Sequence, residues 1–190
     1  FVMITAQNDS SVRGLSLSGG SIGIRVTGTG VTVGGDVVRN MSDAGIEVSG
    51  SATIVNNTIV LNALVGLRAT GAASARNNIL QGNGVGLSGT IVSTYNSVND
   101  GYFNCSIGTG DMNVLVVFTD AAAGDFREMD LQPTIDRGDP ADDFSLEPSP
   151  NGSRINLGAF GNTILARASP VAGGGSLAWV DAGGFLRVGP

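Results

Sequence analysis

Gly23-Ile24-Arg25-Val26-Thr27-Gly28 is the stretch that decides the fold, because it returns three times. It recurs as Gly45-Ile46-Glu47-Val48-Ser49-Gly50, as Gly66-Leu67-Arg68-Ala69-Thr70-Gly71 and as Gly84-Val85-Gly86-Leu87-Ser88-Gly89. The intervals between copies are 22, 21 and 18 residues. Within each copy the aliphatic residues alternate with the others, as in a half-buried strand. Ile24, Val26, Ile46, Val48, Leu67, Ala69, Val85 and Leu87 fall on one face, and Arg25, Glu47, Arg68 and Gly86 on the other. A second feature keeps the same three intervals, in the series Gly35, Asn57, Asn78 and Asn96. Gly and Asn are the residues that most readily take the left-handed conformation of a tight turn. Each repeat is therefore read as a strand plus a sharp turn at constant phase.

Repeats of about 20 residues with several short β segments and no helical pattern point to a β-solenoid. Equivalent residues then stack about 4.8 Å apart in successive coils. The expected coils span 12–30, 31–51, 52–71, 72–89 and 90–107, with Phe1–Ala6 as a leading strand. Gly35, Asn57, Asn78 and Asn96 are expected to form a structural ladder at the turn, and Thr27, Ser49, Thr70 and Ser88 a second polar column. Arg25, Glu47 and Arg68 become an outward ladder of alternating sign. No amphipathic helix covers the N-terminal end, so that end is read as covered by missing sequence or stacked on another molecule.

The composition narrows the chemistry. The 190 residues include 30 Gly, no His and ten basic residues, all of them Arg. Without His there is no Ser-His-Asp or Cys-His machinery and no His-based metal site. Without Lys there is no Schiff base and no P-loop. Acid–base work near neutral pH is left to carboxylates, Tyr95, Tyr102 and Cys105. A net charge of −6 disfavours a nucleic-acid partner. No apolar run is long enough to span a membrane. Cys105 stands alone, so no internal disulfide forms, and it reads as a small core residue. The chain opens Phe1-Val2-Met3-Ile4, without an initiator Met or a signal peptide, and is read as a mature form or an excised fragment.

After Asp111 the repeat fades. Val114–Thr119 reads as a buried strand. Nine of the sixteen carboxylates lie between Asp120 and Glu147, in a stretch broken by Pro133, Pro140, Pro148 and Pro150. Arg154–Phe160 returns to an extended pattern. Pro170–Ser176 is Gly-rich, and Leu177–Val180 with Phe185–Val188 reads as a terminal hairpin. The division is coils over 1–110, a closing coil and acidic Pro-rich loop over 111–165, and a linker with hairpin over 166–190.

The coils, with Val55-Asn56-Asn57-Thr58-Ile59 and Arg76-Asn77-Asn78-Ile79, resemble right-handed parallel β-helix repeat proteins. Pro133-Thr-Ile-Asp-Arg-Gly-Asp-Pro140 and Glu147–Thr163 look like the end of the helix in bacterial surface proteins of the "choice-of-anchor Q" type. The resemblance covers about residues 12–165 and leaves Ala166–Pro190 unmatched. It implies an all-β, right-handed parallel β-helix at the cell surface or outside the cell. That family is functionally heterogeneous, so the resemblance implies no reaction. Lyases and polygalacturonases on the same fold are an analogy of fold alone.

Two acidic groupings are candidate sites. Asp136, Asp139, Asp142, Asp143 and Glu147 are close enough in sequence to supply oxygens to Ca²⁺, the one cofactor considered. The plainer reading is a solvated turn with Arg137 or Arg154 as partners. Asp36, Asp43 and Glu47, with Arg25 and Arg68, could form a carboxylate pair and an anion site for an acidic glycan. The plainer reading is a charged ladder with loop residues. Tyr95, Tyr102 and Phe103 are expected to pack under the loop leading to Asp111. Trp179 and Phe185 are candidate assembly contacts. The leading expectation is a non-enzymatic structural or adhesive solenoid that joins other copies end to end or through its tail. The alternative is a module that binds or degrades acidic polysaccharide through Arg25, Glu47 and Arg68.

Overall fold

The structure, a computed structural model, describes residues 1–170 together with the backbone of two short strands, Ala178–Val180 and Leu186–Val188. It is a parallel β-solenoid of about five turns, and among the described residues there is no helix. One side of the solenoid stacks Val2–Ala6, Ile22–Val26, Ala44–Val48, the first part of Val65–Arg76, the first part of Val85–Thr94, and Tyr102–Phe103. A second side stacks Ser11–Arg13, Val31–Gly34, Ser51–Val55 and the later parts of the same two long strands. The third side stacks Ser16–Ser18, Val37–Arg39, Thr58–Val60, Ile79–Gln81 and Ser97–Val98.

The alternation seen in the sequence sets what points inward. Ile24, Ile46, Leu67 and Leu87 form one fully buried column, and Val33 and Ile54 belong to another. Leu17, Val38, Ile59, Leu80 and Val98 enter from the third side. Opposite them the first side carries Gly23, Gly45, Gly66 and Gly86. A Cβ on Gly45 would sit 2.7 Å from the Gly66 carbonyl and 2.7 Å from Ile59 Cγ2. The bore is too narrow for two side chains at that level, which is why the repeat opens on Gly.

The register corrects the phase of the fourth repeat. Leu67 pairs with Leu87 and Arg68 with Ser88, and the coil shortens further at a register shift between Ala69 and Ala73, where Ala73 pairs with Ile91. Gly66 is therefore stacked on Gly86 rather than Gly84. Ser88 continues the column of Arg25, Glu47 and Arg68, the place expected for Gly86, and leaves the column of Thr27, Ser49 and Thr70. One residue is lost between Asn83 and Val85 and two in the turn after the strand, and a periodicity read along one strand cannot place deletions that lie beyond it.

Two expected strands differ as well. Val114–Thr119 is not a buried strand: Val116 and Phe118 are buried while Leu115 and Val117 are exposed, and only Phe118–Asp120 pairs, antiparallel to Asp125–Glu128. Arg154–Phe160 is built of bends and turns rather than extended chain. Over residues 113–170 the chain forms a strap along the outside of the third side. Val116, Phe118, Phe126, Leu157 and Ala159 bury Val37, Val60 and Ile79 from without, in a second apolar cluster. Phe118 and Phe126 meet edge to face, with centroids 5.1 Å apart. Ala178–Val180 and Leu186–Val188 pair antiparallel, as a hairpin does.

Candidate functional site

The corner between the second and third sides carries two adjacent columns with opposite roles. Gly14, Gly35, Asn56, Asn77 and Tyr95 all have positive φ, between 50° and 70°. This left-handed residue turns the chain, so the next side chain points into the bore. Those next residues are Asp36, Asn57, Asn78 and Asn96, all buried, whereas Leu15 in the first coil stays exposed. The ladder is therefore Asp36, Asn57, Asn78 and Asn96. Gly35 sits one position earlier, in the turning column, because Val37 stacks on Thr58 and so sets Asp36, not Gly35, level with Asn57.

The ladder is continuous and polar in direction. Asn57 donates both its backbone N–H and its Nδ2 to Asn78 Oδ1, at 2.9 and 3.0 Å. Asn78 does the same to Asn96 Oδ1, at 2.9 and 2.8 Å. Each amide also donates to a strand carbonyl: Asn57 to Val33, Asn78 to Ile54, Asn96 to Ala75. Asn57, Asn78 and Asn96 are fully buried, and every polar atom of these amides finds a partner. The run ends on Asp111, whose carboxylate accepts from Asn96, Ser93, Tyr102 and Gly108. A carboxylate suits that end because it accepts without having to donate. Burial and the Asp111 charge push the Tyr102 hydroxyl well above its ordinary range.

A second ladder, not identified from the sequence, runs at the corner between the third and first sides. Asn40, Leu61 and Gly82 turn the chain with positive φ, and Met41, Asn62 and Asn83 follow them inward. Asn62 donates its N–H and Nδ2 to Asn83 Oδ1, and Asn83 donates the same pair to Asp100. Here too an Asp closes the run. The signal in the sequence was Asn62 and Asn83, which keep the interval of Asn57 and Asn78.

The turning column of the first corner faces outward and grips the strap. Asn56 Nδ2 donates to the carbonyls of Asn156 and Gly158, and Asn77 Oδ1 accepts the Asp139 N–H at 2.7 Å. Asn77 Nδ2 and Arg76 Nε both reach Asp142. The Tyr95 ring carries the Arg154 guanidinium 5.3 Å from its centroid. Phe103 is exposed, and Cys105 packs on the core with its thiol pushed up by burial.

The charged face is internally compensated. Arg25 bonds Glu47 at 2.7 Å, and Arg68 bonds Glu47 at 2.8 Å and Asp43 through two nitrogens. Two guanidiniums thus meet two carboxylates. Asp36 does not join this group: it lies buried at the far corner, its carboxyl raised to about 6, chiefly by burial.

The acidic loop is likewise distributed over protein donors. Asp142 goes to Arg76 and Asn77, Asp143 to Ser145 and Asn162, and Asp139 to the Ala141 N–H. Asp136 accepts from Ser169, and Glu147 Oε1 accepts the N–H groups of Asn156 and Asn162. Among the described residues no group of three acidic or thiol side chains is placed to hold a metal ion. Glu128, bonded to Thr134, is almost fully buried and raised to about 7, first by burial and then by the charge of Glu147. Trp179 lies in the strand Ala178–Val180, paired with Arg187, and Phe185 lies outside the described residues.

A cleft of about 430 Å³ opens where the strap leaves the second side, lined by Arg13, Asn56, Arg76, Asp142, Asn162 and Thr163 among others. It exists because Gly14 and Gly35 bring no side chain to the turning column there. No described helix is long and apolar enough to cross a membrane. No family model, curated protein or solved structure matches the chain.

Proposed function

We propose that the protein is a non-enzymatic structural solenoid of a cell-surface or extracellular protein, which stacks on another copy of itself end to end. The observation that carries this reading is the first coil. Among the described residues, Val2–Ala6, Ser11–Arg13 and Ser16–Ser18 each pair on one side only and stand at the ends of their sheets. Met3, Ile4 and Leu17 close the core there only in part, and Phe1 is exposed. Tyr102–Phe103 at the other end also pairs on one side only among the described residues. Two parallel, one-sided edges at opposite ends are templates for head-to-tail joining, and such a contact propagates. The surface placement and the kinship with "choice-of-anchor Q" proteins rest on the Pro133–Pro140 and Glu147–Thr163 segments.

The lack of His and Lys, and the engagement of each candidate carboxylate by protein donors, support a role other than catalysis. The Arg25, Glu47 and Arg68 face is a poor anion site, since its arginines are already matched. Light scattering on a sizing column, with electron microscopy of the same fractions, tests the reading. Mass that grows with concentration, and rods or filaments, are expected. A monomer across the whole concentration range overturns it.

A further inference from the structure

At the head of the first-corner ladder an Asp occupies a place built for an amide. In the next three coils the residue at this position is Asn57, Asn78 or Asn96, and the atom Nδ2 donates both to the following ladder oxygen and to a strand carbonyl. Register carries the same surroundings up to Asp36. Val12 stacks on Val33, so its carbonyl stands where those of Val33, Ile54 and Ala75 stand lower down. Asn57 Oδ1 already accepts the Asp36 N–H at 3.0 Å. Asp36 Oδ1 accepts the Leu15 N–H at 2.8 Å, as each ladder oxygen accepts from the coil before it. That leaves Oδ2 in the position of the amide nitrogen, fully buried and without a partner.

We propose that Asp36 folds as a neutral carboxylic acid whose Oδ2–H replaces the missing ladder amide, and that loss of this proton loosens the first coil from the second. An ionised Oδ2 would set a charge against two oxygens with no solvent to screen it. A protonated one donates to either, and the ladder stays continuous up to Leu15. The charge acting on the group is that of Arg13, which favours ionisation, yet Arg13 Nε bonds Ser11 Oγ rather than the carboxyl. The N–H groups of Leu15 and Gly34 act in the same direction as Arg13, and burial outweighs all three. From the strap the neighbour at this corner is the uncharged Ala159 carbonyl. The first coil is where such a proton would be felt, because Asp36 Oδ1 holds the Leu15 N–H of that coil.

The sign follows from the carboxyl standing higher in the fold, at about 6, than its ordinary 3.8. The protonated form's contribution is whole below pH 4 and is lost as pH rises through 6. Asp36→Asn restores the residue the next three coils carry, so it is expected to fold. Denaturant unfolding of the wild-type chain and Asp36→Asn is compared from pH 4 to 8, with hydrogen exchange at Leu15 and Asp36 and a carboxyl ¹³C titration of aspartate-labelled protein. Relative to Asp36→Asn, the wild-type folding constant is expected to fall on the order of a hundredfold between pH 4 and 7. Exchange at Leu15 should quicken over the same range in the wild type alone. Glu128 and Glu147 titrate in both chains and cancel. Parallel stability curves, or an Asp36 carboxyl titrating in the ordinary range, overturn the proposal.

Discussion

Asn78 and Asn77 are neighbours in sequence and opposites in role, and replacing each in turn separates the two. Asn78→Ala removes the acceptor of the Asn57 N–H, which has no other partner. It also strips the Nδ2 donor from the carbonyls of Ile54 and Arg76 and from Asn96 Oδ1. An orphaned buried N–H costs about 1–3 kcal/mol, and the vacated amide volume adds about 1 kcal/mol more. With the carbonyls only partly deprived, the expected loss is about 3–5 kcal/mol, a large share of the ~5–15 kcal/mol by which a domain is stable. Urea unfolding at constant pH measures it from the shift in midpoint. Asn77→Gly keeps the left-handed turn available and deletes only the outward amide, with its bonds to Asp142 and the Asp139 N–H. Its effect should fall on the strap, as faster proteolysis within 136–162, with the solenoid transition shifted by less than about 1.5 kcal/mol. An Asn78→Ala chain that loses under about 1 kcal/mol, or loses no more than Asn77→Gly, would refute the account of the ladder.

Gly45→Ala places a Cβ 2.7 Å from both the Gly66 carbonyl and Ile59 Cγ2, so it should destabilise by about 1–3 kcal/mol in the same unfolding assay. Combined with Ile59→Ala, which opens space beside the new methyl, the double substitution should cost less than the two single losses summed. Glu128→Gln tests the buried carboxyl of the strap. Raised to about 7 from an ordinary 4.5, Glu128 gives stability that is whole below pH 4.5 and gone above pH 7. The variant should therefore be the more stable chain at pH 8, by about 2–3 kcal/mol, with the advantage vanishing near pH 5. An advantage that does not change with pH would show that Glu128 is not the group titrating.

The solenoid was legible in the sequence because each coil repeats one environment. Ile24, Ile46 and Leu67 meet the same neighbours, so the same residue types recur at a spacing that can be counted. The Asn column was legible for the same reason, down to its use as a ladder. Its phase was not. Gly35 and Asn57 are both good turn residues, and only the pairing of Val37 with Thr58 shows that Asp36 stands level with Asn57. The second ladder escaped because Met41 opens it and Asp100 closes it, which leaves Asn62 and Asn83 as two amides with no obvious series. Both closing carboxylates, Asp100 and Asp111, belong to a logic of donors and acceptors visible only when coils are laid on one another.

The local rule is written in the amino-acid order: where a strand alternates, where the chain must turn left-handed, and which residue types fill a narrow bore. Those depend on neighbours a few positions away or one coil away, and a repeat writes both distances into the chain. Contacts that join distant segments once are set by the folded arrangement alone. The strap lies across the third side because Asn56 and Asn77 hold Asn156, Gly158 and Asp139, residues far along the chain that share no period with them. The acidic loop is taken up by that attachment, and the arginines of the charged face are paired with Asp43 and Glu47. Asp36 is a buried acid instead of a loop carboxylate because one turn carried it inward. A contact made once leaves no repeat in the sequence, and the burial that sets an acid's proton affinity exists only after the coils have closed around it.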